Sequence, residues 1–441
     1  MRRFIIGIFT LCTASLACAQ ALHVPTFEEV ISLRSVSSPQ ISPDGRHVLF
    51  SLNTTDWENN RYDSEIWISK DSGDPFPLTN TSDGRSFDAK WSPDGTWIAF
   101  KASRDASTQI HAIRLAGGEA QPVTQVEGSI GQYDWSPDGT RIAFTMTPKE
   151  GKEDKERKER FGAYAIDDEE YQLAGLYMID FLPDARQPSE LPCHEESDSL
   201  QEINCIQLPE PEALIDSVDF TVQGFLWSPD GTRMLINRRP DPLINSFFKA
   251  DIAMLDVETG ALTDLVTHPS YDAAVEWSPD GSRILYQSAV DNLDSVYYSN
   301  NRLFMIPVAG GQAREVGAAF DENISVVDWT PTGIYFTAWQ KTDRALYRLD
   351  PQNGAITNVL SEPDRIFGVS ISDDGRSAAI QGRSDVSLNE IYRCDLASQD
   401  LVQITRASDA IAGWKVSHSE VISWTSQDGA EIEGVLHKPA D

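Results

Sequence analysis

One ten-residue pattern occurs four times in this chain with few changes. It is WSPDGTWIAF from Trp91, WSPDGTRIAF from Trp135, WSPDGTRMLI from Trp227 and WSPDGSRILY from Trp277. Weaker copies begin at Ile41, Trp329 and Ile371, which makes seven copies in all. A pattern that returns along a chain indicates an array of equivalent structural units, so the repeat limits the possible folds more than any other feature.

Each copy has the composition of a β-hairpin. Ser-Pro-Asp-Gly is typical of a tight turn, because Pro presets φ at the second position and Gly accepts a left-handed exit. The apolar alternation after the turn predicts a strand. A second apolar unit follows every copy and usually leads through another turn to a further strand; these units begin at Ile66, Ile110, Leu176, Ile252, Leu303, Leu346 and Ile391.

The spacing of the two units predicts a β-propeller. From a second unit to the next turn motif the distance is 25 residues in four cases, 26 in one and 51 in one. Four strands about every 45 to 50 residues is the period of a propeller blade. We therefore predict an all-β fold, a seven-bladed β-propeller of four-stranded blades over residues 20–425. An open array of hairpins or a β-sandwich is the alternative. The Trp of each motif is expected to pack between blades rather than to bind a ligand.

The third unit is interrupted twice. Insertions are predicted at about 148–172 and 182–215; the first is a charged run followed by an acidic turn or short helix, and the second carries Cys193 and Cys205. Long insertions in a regular array are where function tends to be added. Before the first hairpin, Thr26 and Glu29 have the spacing of a capping box, which predicts a short N-terminal helix.

The beginning of the chain predicts export. Arg2 and Arg3 precede a short apolar run and small residues suited to cleavage, so residues 1–19 are interpreted as a signal peptide of a secreted or periplasmic protein. A lipoprotein anchor on Cys18 is the alternative. In an oxidising compartment Cys193 and Cys205 are expected to form a disulfide, although a pair with Cys394 stays open.

Composition and motifs argue against several functions. The formal net charge is −32, which disfavours nucleic acid and anionic lipid as partners, and no membrane contact is expected after signal cleavage. The sequence contains no Gly-x-Ser-x-Gly elbow, and its seven histidines are dispersed without metal-ligand spacing. We therefore expect no metal, no cofactor and no catalytic residue in this chain.

Three features together resemble the prolyl oligopeptidase family of serine peptidases, especially its acylaminoacyl-peptidase and dipeptidyl-peptidase-like branch. They are the opening helix with QISPDGRHVLF from Gln40, the WSPDG repeats, and the exit segment ISWTSQDGAEIEGVLHKP from Ile422. In that family the exit leads into an α/β-hydrolase domain bearing the Ser, Asp and His triad. The resemblance implies that residues 426–441 are an exit strand, and that a hydrolase domain follows Asp441 in a longer parent protein.

The resemblance also implies a function. This chain would be the non-catalytic portion of a secreted serine peptidase that gates and binds short peptides, which the parent cleaves from the N-terminus. The rival interpretation is a stand-alone TolB-like periplasmic propeller that binds proteins. A metal- or cofactor-dependent propeller enzyme is a third class, but the sequence offers no ligand cluster for it.

An acidic stretch in the first insertion is the candidate substrate-binding site. Related dipeptidyl peptidases place an acidic pair on a propeller insertion, where two carboxylates bind the free ammonium of a peptide. The resemblance assigns this role to the run of Asp167, Asp168, Glu169 and Glu170. Consecutive residues do not share one helix face, so at most two converge, and Glu169 and Glu170 are favoured with Tyr164 and Tyr171 packing the loop. A solvated acidic run is the alternative.

Overall fold

A computed structural model describes residues 22–81, 84–103, 107–162, 171–183, 208–216, 219–289 and 300–439. These residues form mainly β-strands, together with two α-helices and two 3₁₀ helices. None of the helices within these ranges is both long and apolar enough to cross a membrane. The predicted signal peptide, residues 1–19, lies outside the described residues.

The first three sheets each use four consecutive strands. Sheet 1 comprises β1 (Ser35–Ile41), β2 (His47–Asp56), β3 (Arg61–Lys70) and β4 (Phe76–Pro77). Sheet 2 comprises β5 (Arg85–Trp91), β6 (Trp97–Ser103), β7 (Thr108–Arg114) and β8 (Gln121–Pro122). Sheet 3 comprises β9 (Gly128–Trp135), β10 (Arg141–Pro148), β11 (Gly175–Asp180) and β12 (Glu212–Ile215).

Four more groups of four strands follow. Sheet 4 comprises β13 (Thr221–Trp227), β14 (Arg233–Arg239), β15 (Asp251–Asp256) and β16 (Leu262–Val266). Sheet 5 comprises β17 (Asp272–Trp277), β18 (Arg283–Ser288), β19 (Arg302–Pro307) and β20 (Arg314–Val316). Sheet 6 comprises β21 (Ser325–Thr330), β22 (Gly333–Gln340), β23 (Asp343–Leu349) and β24 (Ile356–Leu360). Sheet 7 comprises β25 (Arg365–Ile371), β26 (Ser377–Arg383), β27 (Glu390–Asp395) and β28 (Leu401–Gln403).

The remaining elements lie outside these sheets. They are α1 (Phe27–Ile31), α2 (Lys152–Phe161), the 3₁₀ helices Ile244–Lys249 and Ala407–Ile411, and a terminal hairpin of β29 (His418–Thr425) and β30 (Glu431–Lys438). Within each of these sheets of the described residues neighbouring strands are antiparallel, and a parallel bridge between Arg344 and Arg365 joins sheets 6 and 7. The all-β propeller architecture predicted from the repeat is confirmed.

A hydrophobic cluster lies between each sheet and the next. Leu49 and Ile66 of sheet 1, for example, pack against Phe100 of sheet 2, and all three are fully buried. Equivalent clusters join the later sheets in order, and the cluster containing Phe50 and Ile391 joins sheet 1 to sheet 7. Fully burying one such side chain stabilises the fold by roughly 1.5 to 3 kcal/mol, so the contacts between sheets form the core.

The Ser-Pro-Asp-Gly turns share one hydrogen-bond pattern. In the turn from Ser92, the Gly95 N–H donates to the Ser92 carbonyl at 2.8 Å, and Ser92 Oγ donates to Asp94 Oδ1 at 2.6 Å. The Trp97 N–H then donates to Ser92 Oγ at 2.9 Å. Gly95 has a φ of +68°, which side chains with a Cβ rarely adopt. The same pattern occurs in the turns that begin at Ser42, Ser136, Ser228, Ser278 and Ser372.

Neighbouring turns also contact one another. A Cβ on Gly139 would lie 3.6 Å from Pro93 Cδ of the preceding turn, and a Cβ on Gly231 would lie 3.5 Å from Pro137 Cδ. Gly95 and Gly281 meet the prolines of their preceding turns in the same way. The proline therefore has two roles, because it shapes its own turn and packs against the next one.

The motif tryptophans connect neighbouring sheets. Trp91 Nε1 donates to the carbonyl of Gln40 in sheet 1 at 3.3 Å, and Trp277 Nε1 donates to the carbonyl of Leu226 in sheet 4 at 3.2 Å. Trp277 is 3% exposed. The interpretation of these residues as packing groups between blades is confirmed.

The second repeated unit fixes the outer strand of its sheet. Glu390, just before Ile391, is 1% exposed and accepts hydrogen bonds from Thr405 Oγ1 and from Ser408, while Ile391 N–H donates to Thr405 Oγ1 at 2.9 Å. Glu65 with Thr79 in sheet 1 and Gln109 with Thr124 in sheet 2 form the same contacts. In these three sheets the acid or amide before the apolar unit is thus a structural residue.

Candidate functional site

The topology gives the propeller two different sides. All Ser-Pro-Asp-Gly turns join the first and second strands of their sheets, so they lie on one side, which we name the turn face. The chain arrives at β1 and departs after β28 on the opposite side, the loop face. There His23 pairs with Trp414 in a parallel bridge, and the Lys415 N–H donates to the His23 carbonyl at 2.7 Å. The two ends of the propeller therefore meet on the loop face.

Helix α1 lies on this face with its apolar side chains uncovered. Thr26 and Glu29 form the capping box, with Glu29 N–H donating to Thr26 Oγ1 at 3.2 Å and Thr26 N–H donating to Glu29 Oε2 at 2.7 Å. Thr55 Oγ1 on the long β2–β3 hairpin holds the C-terminal end of the helix through the Ile31 carbonyl. No residue of α1 is buried, and Phe27 is 71% exposed.

The β29–β30 hairpin is exposed over most of its length. Its turn, Ser426 to Gly429, has the hydrogen bonds of the repeated turn, because Ser426 Oγ donates to Asp428 Oδ1 and the Gly429 N–H donates to the Ser426 carbonyl. The turn forms although Gln427 stands where the other turns have Pro, and it leads into β30, which lies within the segment 426–441 predicted as an exit strand. Glu433 of β30 pairs with Lys341, which follows β22 on the loop face.

Most exposed large apolar side chains belong to segments of the loop face. They include Val24, Phe27, Trp57, Tyr62, Ile244, Trp339, Val421, Trp424 and Leu436. Among the described residues only Phe76, Leu182 and Val402 lie elsewhere. Single exposed apolar residues are normal on a protein surface, but this concentration on one side marks an interaction surface.

Charged side chains from several sheets meet around the axis of the propeller. We name Lys90, Asp134, Glu276 and Asp328 the axial cluster; each directly precedes a motif tryptophan on the first strand of its sheet. Lys90 Nζ lies 3.0 Å from Asp134 Oδ2. The charge of Asp134 in sheet 3 acts on Glu276 in sheet 5, although these sheets are not neighbours. The sheets of a propeller surround a central channel, so the axial cluster lies along that channel.

Two carboxyl groups of the axial cluster hold protons unusually well. Burial, followed by the charges of Asp328 and Asp134, raises the pKa of Glu276 to about 8, although its backbone neighbour Trp277 donates to Oε1 at 2.9 Å. Burial also raises the pKa of Asp328 to about 6, and the charge of Asp373 adds to the rise. At neutral pH Glu276 is therefore mostly neutral, whereas Asp134 is paired with Lys90.

The predicted substrate-binding residues lie outside the described residues. These are Asp167, Asp168, Glu169 and Glu170, together with Tyr164. The described ends of their connection are Pro148, at the end of β10, and Gly175, at the start of β11, and both lie on the loop face. Tyr171 is described and is 40% exposed. The acidic stretch thus stays a prediction, in a connection that starts and finishes on the loop face.

The predicted disulfide also stays a prediction. Cys193 and Cys205 lie outside the described residues, in the connection from β11 to β12, whose described ends lie on the turn face. Cys394 is buried with a free thiol, and burial raises its pKa to about 11.

The described residues contain a His–Asp pair but no catalytic triad. His268 Nδ1 lies 3.2 Å from Asp272 Oδ2 in the connection to β17. The neighbouring hydroxyl of Ser270 is completely buried and lies 3.4 Å from Ser288 Oγ, so it is closed to a substrate. The same part of the chain holds no group of three or more His, Cys, Asp or Glu residues placed to bind a metal.

Sequence analysis missed two groups of functional candidates. The axial cluster was missed although the sequence offered a signal for it. Side chains alternate along a strand, so the residue before a packed tryptophan faces away from that tryptophan. Helix α2 was missed within the charged run before the acidic stretch, where Lys158 pairs with Glu150 near the N-terminal end of the helix. In that run no apolar period indicates a helix.

Comparison with known proteins agrees with the fold. The family model described as the TolB beta propeller domain matches residues 16–161. Dipeptidyl-peptidase 5 of Porphyromonas gingivalis is 24% identical over 79% of this chain and 51% of its own length, and an uncharacterized peptidase of Bacillus subtilis, YuxL, is 33% identical over 23% of this chain and 16% of its own. The chain thus spans about half of the first relative and a smaller part of the second.

A solved structure shows the same architecture. Uncomplexed acylaminoacyl peptidase from Pyrococcus horikoshii superposes with a TM-score of 0.66 at 17% identity, and the match covers 93% of this chain and 59% of that one. With the repeat, the ring of sheets and the exposed hairpin after sheet 7, these comparisons support a propeller similar to those of the prolyl oligopeptidase family.

Proposed function

We propose that this chain is the seven-bladed propeller portion of an exported serine peptidase, and that its loop face docks an α/β-hydrolase domain which follows β30. The observation that carries the proposal is the set of exposed apolar side chains on the side where both ends of the propeller meet. Phe27 of α1 and Trp424 of β29 belong to segments joined to the chain ends, so a domain attached there would cover them first.

The channel then becomes part of the route to the active site. A docked domain would close the loop face and leave short peptides an approach past the axial cluster or through a gap between the domains. In this proposal the propeller contributes selection and binding, and the serine, histidine and aspartate of the attached domain perform the chemistry.

The docking surface can be tested in the full-length gene product. Trp424→Glu places a charge in the proposed interface, whereas Phe76→Glu changes a similarly exposed residue on an edge strand away from it. We expect Trp424→Glu to lower kcat/KM for short peptides at least tenfold and Phe76→Glu to leave it unchanged. Equal activity of both variants, or a full-length product that does not react with serine-directed fluorophosphonates, would contradict the proposal.

Recognition of the peptide N-terminus is a separate part of the proposal. If Glu169 and Glu170 bind the free ammonium, replacing both with Gln raises KM for free-amine peptides and leaves N-acetylated peptides unaffected. The rate of labelling of the catalytic serine by a small fluorophosphonate should not change, because the variant alters binding alone. An unchanged KM would contradict this role and favour the alternative, that the stretch is a solvated acidic run.

The TolB beta propeller match favours one second candidate, a stand-alone propeller that binds proteins in the cell envelope. It predicts that the chain acts without a hydrolase domain and has no serine-directed reactivity in any natural form. The fluorophosphonate experiment on the natural gene product separates the two functions.

A further inference from the structure

Three arginines occupy adjacent register positions on the loop face, between sheets 6 and 7. Arg344 of β23 pairs with Arg365 of β25, which in turn pairs with Arg383 of β26. Each lies at or next to the end of its strand that reaches the loop face. We name these three residues the arginine row; in a chain of net charge −32 they form a local concentration of positive charge.

Two aromatic rings adjoin the row. The Phe367 ring centroid lies 5.9 Å from the Arg344 guanidinium carbon and 5.4 Å from that of Arg383. The Trp339 ring lies 6.5 Å from Phe367 and is 43% exposed. Arginine stacked on an aromatic ring keeps its planar donors oriented, so the rings and the guanidinium groups form a surface with both apolar and cationic parts.

The three arginines differ in how their charge is used. Arg365 Nη1 lies 2.5 Å from Asp385 Oδ1 and is neutralised by it. Arg344 donates to the carbonyls of Ile366 at 3.0 Å and Phe367 at 3.1 Å, which fixes its position. These acceptors carry no net charge.

Arg383 is the free member of the row. It is exposed, and within the described residues no carboxylate lies within 4.0 Å of Arg383 or of Arg344. Asp343 and Asp364 are near in sequence but form no ion pair with the row. Arg383 therefore presents unused donors to solvent beside an exposed aromatic ring.

We propose that Arg383, positioned by Phe367 and Arg344, binds a carboxylate of a peptide substrate, with Trp339 packing against the apolar part of the same peptide. This inference rests on the proposed function, since it assumes that peptides reach the loop face. Guanidinium and carboxylate form paired, charge-assisted hydrogen bonds that an amide cannot reproduce. The site thereby selects peptides with a free C-terminus or an acidic side chain.

Calorimetric titration of the 441-residue chain tests the site without relying on hydrolysis. The probes are tetra-alanine with a free C-terminal carboxylate, tetra-alanine amide, and the amide of a tetrapeptide with Glu at its third position. We expect at least one carboxylate probe to bind tenfold more tightly than the amide, which is about 1.4 kcal/mol. The preferred probe shows whether the C-terminus or an acidic side chain is bound.

Two variants locate the binding. Arg383→Gln removes the free charge, and Arg376→Gln removes an arginine whose side chain is 80% exposed beside the turn of the same sheet. The preference for a carboxylate should be lost in Arg383→Gln and kept in Arg376→Gln. Equal affinity for acid and amide probes in the unchanged protein, or a preference that survives Arg383→Gln, would overturn the inference.

The two proposals fail in different ways. A carboxylate preference that depends on Arg383, in a gene product without serine-directed reactivity, would support this site and overturn the peptidase function. Peptide cleavage by the full-length product, with no difference in affinity between acid and amide probes, would support the peptidase function and overturn the Arg383 site.

Discussion

Glu276→Gln should stabilise the protein at neutral pH and have almost no effect in mild acid. The folded protein holds a proton on Glu276 up to a pH of about 8, whereas the unfolded chain releases it near 4.5. Between these values the folded state binds more protons than the unfolded state, so the free energy of unfolding falls as pH rises. Gln has the same shape, keeps the acceptor for the Trp277 N–H and never ionises.

The size of the effect follows from the same two values. Each pH unit above 4.5 lowers the free energy of unfolding by about 1.4 kcal/mol until Glu276 ionises in the folded protein. At pH 7 the loss that Glu276→Gln would remove is therefore roughly 3 kcal/mol. Because Glu276 is partly reached by water in the channel, screening reduces this figure, and we expect a measured gain of about 1 to 3 kcal/mol.

Denaturant unfolding at pH 4.5, 7 and 8.5 provides the measurement. The Glu276→Gln variant should match the unchanged protein at pH 4.5 and exceed it at the two higher values. Glu258→Gln, which changes an exposed residue of a strand connection, is the control and should follow the unchanged protein throughout. Parallel stability curves for Glu276→Gln and the unchanged protein would refute the reasoning.

Three further predictions concern the repeat and the second insertion. Trp277→Phe should lower the free energy of unfolding, measured with denaturant, by about 1 kcal/mol more than Trp227→Phe does. The indole N–H of Trp277 donates to the Leu226 carbonyl, whereas the buried indole N–H of Trp227 has no acceptor in the described part of the chain. Hydroxyl and amide donors of its own turn lower the pKa of Asp280 to about 2. The stabilisation of the folded state by ionised Asp280 is therefore present above pH 4 and is lost as pH falls to 2. Asp280→Asn should make the free energy of unfolding less dependent on pH in that range of an acid-unfolding experiment. Non-reducing mass spectrometry should find Cys193 joined to Cys205, a link that stabilises the fold by about 3 kcal/mol, and two free thiols would contradict it.

The fold was accessible from sequence because its signals are local. Ser92, Pro93, Asp94 and Gly95 specify their turn through contacts within a few residues, and the same letters return in sheet after sheet. The terminal turn was missed because Gln427 stands where the other turns have Pro. No heavy atom lies within 4 Å of the Cβ position at Gly429, so this turn stands apart from the ring of turns.

The candidate sites were harder to predict because their residues come from different sheets. Asp134 and Glu276 belong to sheets that are not neighbours, and no period in the sequence links them. Arg344 and Arg383 come together through one bridge between two sheets. Pairings of this kind depend on how many sheets close the ring and on their tilt, which turn motifs do not specify.

The contact between sheets 1 and 7 has a consequence for synthesis of the protein on the ribosome. Each sheet takes its strands from one continuous stretch, so sheet 1 can form early, yet the Ile41 N–H finds its acceptor, Ser370 Oγ, 329 residues later. At about 5 to 20 residues per second this interval lasts roughly 15 to 65 seconds. During that time the apolar side of sheet 1 that carries Val36 and Phe50 has no partner. Nascent chains that end before sheet 7 should therefore bind holding chaperones through this surface, and chains that include Ile391 and Ile404 should be released.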